Sequence, residues 1–63
     1  MCLSNVYLEE KKQDKLVIEE ARQVSADQEN VQVCSLMNER KTLQGYYISE
    51  VNLIENYVIL QKR

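Results

Sequence analysis

Short apolar runs rich in β-branched residues recur about every ten residues along the chain, each closed by polar or turn-forming residues, and that spacing constrains the fold most strongly. Segment 2–10, Cys2 to Glu10, alternates: Ser4, Val6 and Leu8 share one face, and Leu3, Asn5 and Tyr7 the other. The polar stretch Glu9 to Lys15 reads as a loop into Leu16-Val17-Ile18. Residues 19–26 admit two readings. Val17, Ala21 and Val24 match a helical period, yet no capping residue precedes Leu16, and Val24 and Ala26 alternate with Ser25 into a turn at Asp27-Gln28-Glu29-Asn30. The strand reading is preferred, with Val31-Gln32-Val33 returning as a hairpin. A turn at Asn38-Glu39, a short strand from Lys41 to Leu43 and a bend at Gly45 follow. Tyr46 to Ile54 and Tyr57 to Leu60, separated by Glu55-Asn56, form a closing hairpin, and Gln61-Lys62-Arg63 is a solvated tail. The chain is therefore expected to be all-β: five or six short antiparallel strands in one small barrel over residues 1–63.

Sixty-three residues leave no room for a second domain. With no Phe or Trp and only four Tyr, the interior falls to eighteen Leu, Val and Ile. A core of this size rarely supplies more than about 3–5 kcal/mol, so a metal, a disulfide or a partner chain is expected to reinforce it.

Composition also excludes chemistry. With no His, Ser–His and Cys–His catalysis and imidazole-rich metal sites are closed to the chain, and no constellation of nucleophile, base and pocket supports an enzyme. A net charge of −2 gives no footprint for a phosphate backbone, so nucleic-acid binding is disfavoured. No apolar stretch approaches a membrane span and the N-terminus lacks a signal-peptide pattern, so a cytoplasmic protein is expected. The pairs Glu9-Glu10 and Glu19-Glu20 read as solvated charges. Adjacent strand residues face opposite ways, and no second cluster supports either pair.

The two cysteines differ. Cys34, between Val33 and Leu36 in a strand-like run, reads as a small core hydrophobe. Two cysteines without a secretion signal do not make a disulfide framework, so reduced thiols are expected. Cys2 places a thiol beside backbone nitrogens at the N-terminus, within reach of chelate rings; it reads either as an ordinary thiol near a chain end or as a metal ligand. Two copies related by a two-fold axis would supply an S₂N₂ donor set, which suits Ni(II) or Cu(II) when square-planar and Zn(II) when tetrahedral. A symmetric contact near the first strand, burying Leu3 or Tyr7, would bring the two Cys2 residues together.

The opening Met1-Cys2-Leu3-Ser4-Asn5-Val6-Tyr7-Leu8, the middle Val31-Gln32-Val33 with Leu36 and Asn38-Glu39-Arg40-Lys41, Gly45, and the closing Val51-Asn52-Leu53 with Tyr57-Val58-Ile59-Leu60 together resemble the CooT family of small nickel-binding proteins. The resemblance implies an SH3-like β-barrel that forms a homodimer. It also implies that Ni(II) is bound through Cys2 at the dimer interface, for delivery to carbon monoxide dehydrogenase or another nickel enzyme and its maturation factors. Only Cys2 carries over as a ligand. The alternative is a nonenzymatic RNA- or protein-binding barrel, with the Tyr residues, Arg22, Arg40 and Lys41 as its contact surface; a redox-sensing thiol protein is a third reading.

Overall fold

The computed structural model describes residues 3–63. Among them, six strands and one short 3-10 turn follow in the order β1 (Ser4–Leu8), the turn Gln13–Lys15, β2 (Leu16–Ala26), β3 (Asn30–Ser35), β4 (Arg40–Gln44), β5 (Tyr46–Asn52) and β6 (Tyr57–Lys62). They form one sheet in the order β4-β3-β2-β1-β6-β5. The small all-β fold expected from the spacing of apolar runs is what forms.

β2 organises the sheet. Its first half pairs with β1 (Val6 opposite Ile18, Tyr7 opposite Leu16) and its second half with β3 (Val24 opposite Val33, Ala26 opposite Val31). Ala21 belongs to both halves, lying opposite Ser4 on β1 and Ser35 on β3. Residues 19–26 are strand rather than helix because they pair with β1 and β3, and the register shift in β2 lets Ile18 and Ala21, three residues apart, both enter the core. Tertiary packing here overrides a helical propensity spread over only two turns.

The core is aliphatic. Val6, Val31, Val33 and Leu60 are fully buried, joined by Ile18, Ala21 and Val58, with Tyr46 and Ile48 packed against them. Alternation on β1 and β3 sends Val6, Val31 and Val33 inward as the sequence pattern requires.

Two expectations need correction. The strands are not all antiparallel: β1 and β6 run parallel, with Asn5 opposite Tyr57 and Val6 opposite Val58. A parallel pair needs a long crossover, and here all of β2 to β5 lies between its two members. Gln61 and Lys62 are not a solvated tail but the end of β6, where Lys62 lies opposite Tyr46. Gly45 does make the special bend, at φ 77, with its N–H donating to Glu29 O and its own carbonyl accepting from Arg63 N. An added Cβ there would meet nothing within 4 Å, so the demand for glycine comes from the backbone angle and not from crowding.

Candidate functional site at the N-terminal end of β1

Cys2, the expected metal ligand, lies outside the described residues. The site is therefore built from what anchors the chain just after it. Leu3 is half-buried, and Ser4 opens β1 opposite Ala21. Between the pairs Ser4–Ala21 and Val6–Ile18, two steps along β1 match three along β2. That extra residue makes a β-bulge, which bends β2 away from β1 and toward β3.

Glu20 sits in the bulge with φ 54, a left-handed angle that a residue bearing a Cβ rarely adopts. Its N–H donates to the side-chain oxygen of Asn5 at 3.2 Å, and its carbonyl accepts from Leu36 N at 2.9 Å. Asn5 is held from its other side as well, because its backbone N–H donates to Asn56 O at 3.1 Å. Asn56 is also left-handed, at φ 60, and closes the β5–β6 turn. The Asn5 amide nitrogen reaches the Tyr7 hydroxyl at 3.5 Å. One side chain and one backbone amide of Asn5 thus tie β1 to irregular points on both neighbouring strands.

The β5–β6 turn stands beside this anchor. Asn52 Oδ1 accepts from Ile54 N and Glu55 N, folding the turn around its own side chain and leaving Leu53 and Ile54 at the tip, 79% and 90% exposed. Lys11 donates to Glu55 Oε1 at 2.9 Å and lies over the Tyr57 ring, 4.7 Å from its centre. The Glu55 hydrogen bond holds the Lys11 ammonium above its ordinary value. The Tyr57 hydroxyl donates to Glu50 Oε2 at 2.8 Å, and that bond raises its pKa above the usual phenol range. The rim of the anchor is therefore polar and largely self-paired, with two apolar side chains projecting beyond it.

The other candidate residues are not assembled. Cys34 is 4% exposed, with its thiol donating to Ser35 O at 3.6 Å, as expected of a core residue. Glu9, Glu10, Glu19 and Glu20 are exposed, and among the described residues no three Cys, Asp or Glu side chains are grouped to hold a metal. Of the alternative contact surface, Tyr7 is buried, Arg22 donates to Asn38 Oδ1 at 2.7 Å, and Lys41 donates to Val17 O at 2.8 Å. Tyr7 also has little free surface to offer a symmetric partner, whereas Leu3 is only half-buried. The sequence places Asn5 in the first strand, Glu20 among solvated charges and Asn56 in the closing turn, and marks none of them as a backbone anchor. Asn is the residue that most readily combines a left-handed backbone with a local hydrogen-bonding side chain, and that was the available signal.

The chain matches, over residues 1–61, the family described as CO dehydrogenase accessory protein CooT. Its fold is also that of a solved structure, a putative CooT from Carboxydothermus hydrogenoformans, with a TM-score of 0.82, 14% identity and 98% of each chain covered. No curated protein matches. The family match takes in β1 to β5 and all but the last residue of β6, and on that ground the chain belongs to the CooT family of CO dehydrogenase accessory proteins.

Proposed function

We propose that the protein carries Ni(II) for the maturation of carbon monoxide dehydrogenase, without catalysing a reaction itself. Nickel is its cargo. The Cys2 thiolates of two protomers hold one ion between them, assisted by the nitrogens beside each cysteine, on a homodimer of single-domain, SH3-like chains in the cytoplasm. Membership of an accessory-protein family supports the role. The observation that carries the ligand assignment is the contrast between the thiols: Cys34 is buried and hydrogen-bonded within β3, so Cys2 is left to provide sulfur. A thiolate donor also suits nickel where no imidazole exists.

A carrier's site must be reachable by the recipient, which has to take the ion from it. Deprotonation sets a second control. Cysteine has a reference pKa of about 8.5, so each thiolate that binds must release a proton below that pH and affinity weakens as the solution is acidified.

Titration of Ni(II) into the wild type and Cys2→Ala, with native mass spectrometry of the loaded protein, tests the assignment. The wild type is expected to take one ion per two chains, and Cys2→Ala to lose more than the roughly 10- to 100-fold in affinity that removing a mere supporting partner of a ligand costs. Undiminished binding by Cys2→Ala would overturn the reading.

A further inference from the structure

We propose that the groove between the first half of β2 and the β3–β4 connection is a docking site for a partner protein, taking a short segment that carries Lys or Arg beside an apolar side chain. The groove has a volume of about 340 Å³, and Val17, Glu19, Glu20, Leu36, Met37 and Glu39 all line it. It exists because β2 changes neighbours. Leu16 and Ile18 have a strand partner on the β1 side only, and β3 takes up the other edge of β2 from Ala21 onward. The start of β2 and the turn that follows β3 are left as the two sides of a gap. Nothing in this surface depends on which residue holds nickel.

The apolar wall is preformed. Ser35 Oγ accepts from Met37 N and Glu39 N, both at 3.1 Å, Ser35 N donates to Glu39 O at 2.8 Å, and Asn38 between them sits at φ 67. Leu36 N donates to Glu20 O at 2.9 Å, which ties the turn back to β2. A turn held in this way presents Met37, 83% exposed, and the half-exposed Leu36 in fixed positions, so binding costs little ordering of the backbone. Methionine also adapts readily to the shape of a partner, and exposed apolar side chains rimmed by polar ones are the usual mark of an interaction surface.

The rim identifies the occupant. Glu19, Glu20 and Glu39 are exposed, and none of them forms an ion pair among the described residues, where the pairs are Lys11–Glu55 and Lys12–Glu10. The cations at the margin of the groove are held by neutral acceptors: Lys41 Nζ donates to Val17 O at 2.8 Å, and Arg22 Nη2 to Asn38 Oδ1 at 2.7 Å. Arg40 lines a separate groove with Gln23 and Thr42. The Lys41 contact shows that a carbonyl of the groove accepts an ammonium. A segment in which a basic residue stands beside an apolar one gives the carboxylates a counter-charge while it removes the Leu36–Met37 wall from water. A neutral segment gains only the second, and an acidic one is repelled. Lys11 and Lys12 are already paired with Glu55 and Glu10, which removes that lysine pair of a second copy as an occupant.

The test uses a short, blocked and fluorescently labelled peptide in which Lys alternates with Val, and two others in which Glu or Ser replaces Lys. Each is titrated into the full chain by anisotropy, and the Lys peptide also by amide chemical shifts. The variants are Met37→Ser, Glu39→Lys and Glu29→Lys; the last makes the same change in net charge between β2 and β3, outside the groove. The Lys peptide is expected to bind saturably and to move the amides of Val17, Glu20, Leu36 and Met37, and the Glu and Ser peptides to bind at least about tenfold more weakly. Glu39→Lys should weaken the Lys peptide about 3- to 10-fold, the scale of an exposed charge pair lost and reversed. Met37→Ser should weaken it about fivefold or more, as the loss of a central apolar contact, whereas Glu29→Lys should change it by less than about twofold because salt screens a distant charge. Absence of saturable binding overturns the proposal, as do equal binding of the Ser or Glu peptide, equal losses in Glu39→Lys and Glu29→Lys, or shifts confined to another face. Native mass spectrometry without peptide supplies the remaining arm: a dimer that Met37→Ser dissociates would assign the groove to contact between copies instead. Met37 lies outside the core, and the wild-type shift map decides the question even where a variant does not fold.

Discussion

At the scale of single residues, the turns are held by side chains that accept backbone N–H groups, and their removal has calculable consequences. Ser35 is the clearest case. It is 3% exposed, and its Oγ accepts from both Met37 N and Glu39 N at 3.1 Å, closing the β3–β4 connection. Ser35→Ala leaves two amides short of a partner in a part-buried place and is expected to cost about 1–3 kcal/mol, read as a lower urea midpoint with an unchanged slope. Asp27 does the same work in the open, its Oδ1 accepting from Glu29 N at 2.8 Å and Asn30 N at 2.7 Å. Those two bonds, the Glu29 one first, hold its carboxyl below the ordinary value. A depressed folded-state pKa contributes stability that is complete above the unfolded value of about 3.9 and disappears as pH falls through the folded value. Asp27→Asn keeps an acceptor oxygen but loses the charge. The gap in unfolding midpoint between wild type and Asp27→Asn should therefore be present at neutral pH and close progressively below about pH 4, whereas a constant gap would mean that the charge is irrelevant.

At the scale of elements, β6 carries more of the fold than its length suggests. It lies between β1 and β5, and Val58, Ile59 and Leu60 are all buried within it. Leu60 is fully buried in the core, so Leu60→Ala is expected to cost about 2–5 kcal/mol, much of the stability available to so small a domain. Val51→Ala, on the edge strand β5 and 52% exposed, should stay within about 0.5 kcal/mol; thermal melts of the two variants make the comparison. This strand also shows how far the sequence can be read. Its apolar run from Tyr57 to Leu60, the turn at Asn56 and its hairpin with β5 follow from local pattern, because hairpin partners are neighbours along the chain. Its parallel pairing with β1 does not, since that pairing joins the two ends of the chain and leaves no local periodicity. The same holds at β2. Its apolar starts are legible at Leu16 and Val24, but the bulge at Glu20 is not, because glutamate has no preference for a left-handed backbone, an angle that Glu9 also adopts here. Residue chemistry singles out Cys2 as a candidate, whereas the hydrogen bond from the Glu20 bulge to Asn5 leaves no local pattern to read.

At the scale of the whole molecule, a 63-residue chain with an aliphatic core gains proportionately more from a ligand than a large protein does. Nickel that binds only the folded, paired form must stabilise it by mass action, and free metal at about 100 times the dissociation constant contributes about 2.7 kcal/mol. For a domain of this size each kcal/mol moves the melting temperature by about 4–8 °C, so a shift of about 10–20 °C is expected on saturation. If one ion joins two chains as proposed, the shift should depend on protein concentration and be absent in Cys2→Ala. Its pH dependence has a definite sign. Protons and nickel compete for the same thiolates, so below about pH 8.5 the affinity falls by up to about tenfold per pH unit for each cysteine that must ionise, and the shift shrinks accordingly. Two coordinated thiolates predict a steeper loss than one, as much as about 100-fold per unit. Calorimetric melts from pH 8 to pH 6 at fixed free Ni(II) therefore count the protons displaced, from the thiols and from any amine nitrogen that binds beside them. A slope corresponding to a single proton, with a shift independent of protein concentration, would replace the bridged dimer by a monomeric carrier that holds nickel through one cysteine.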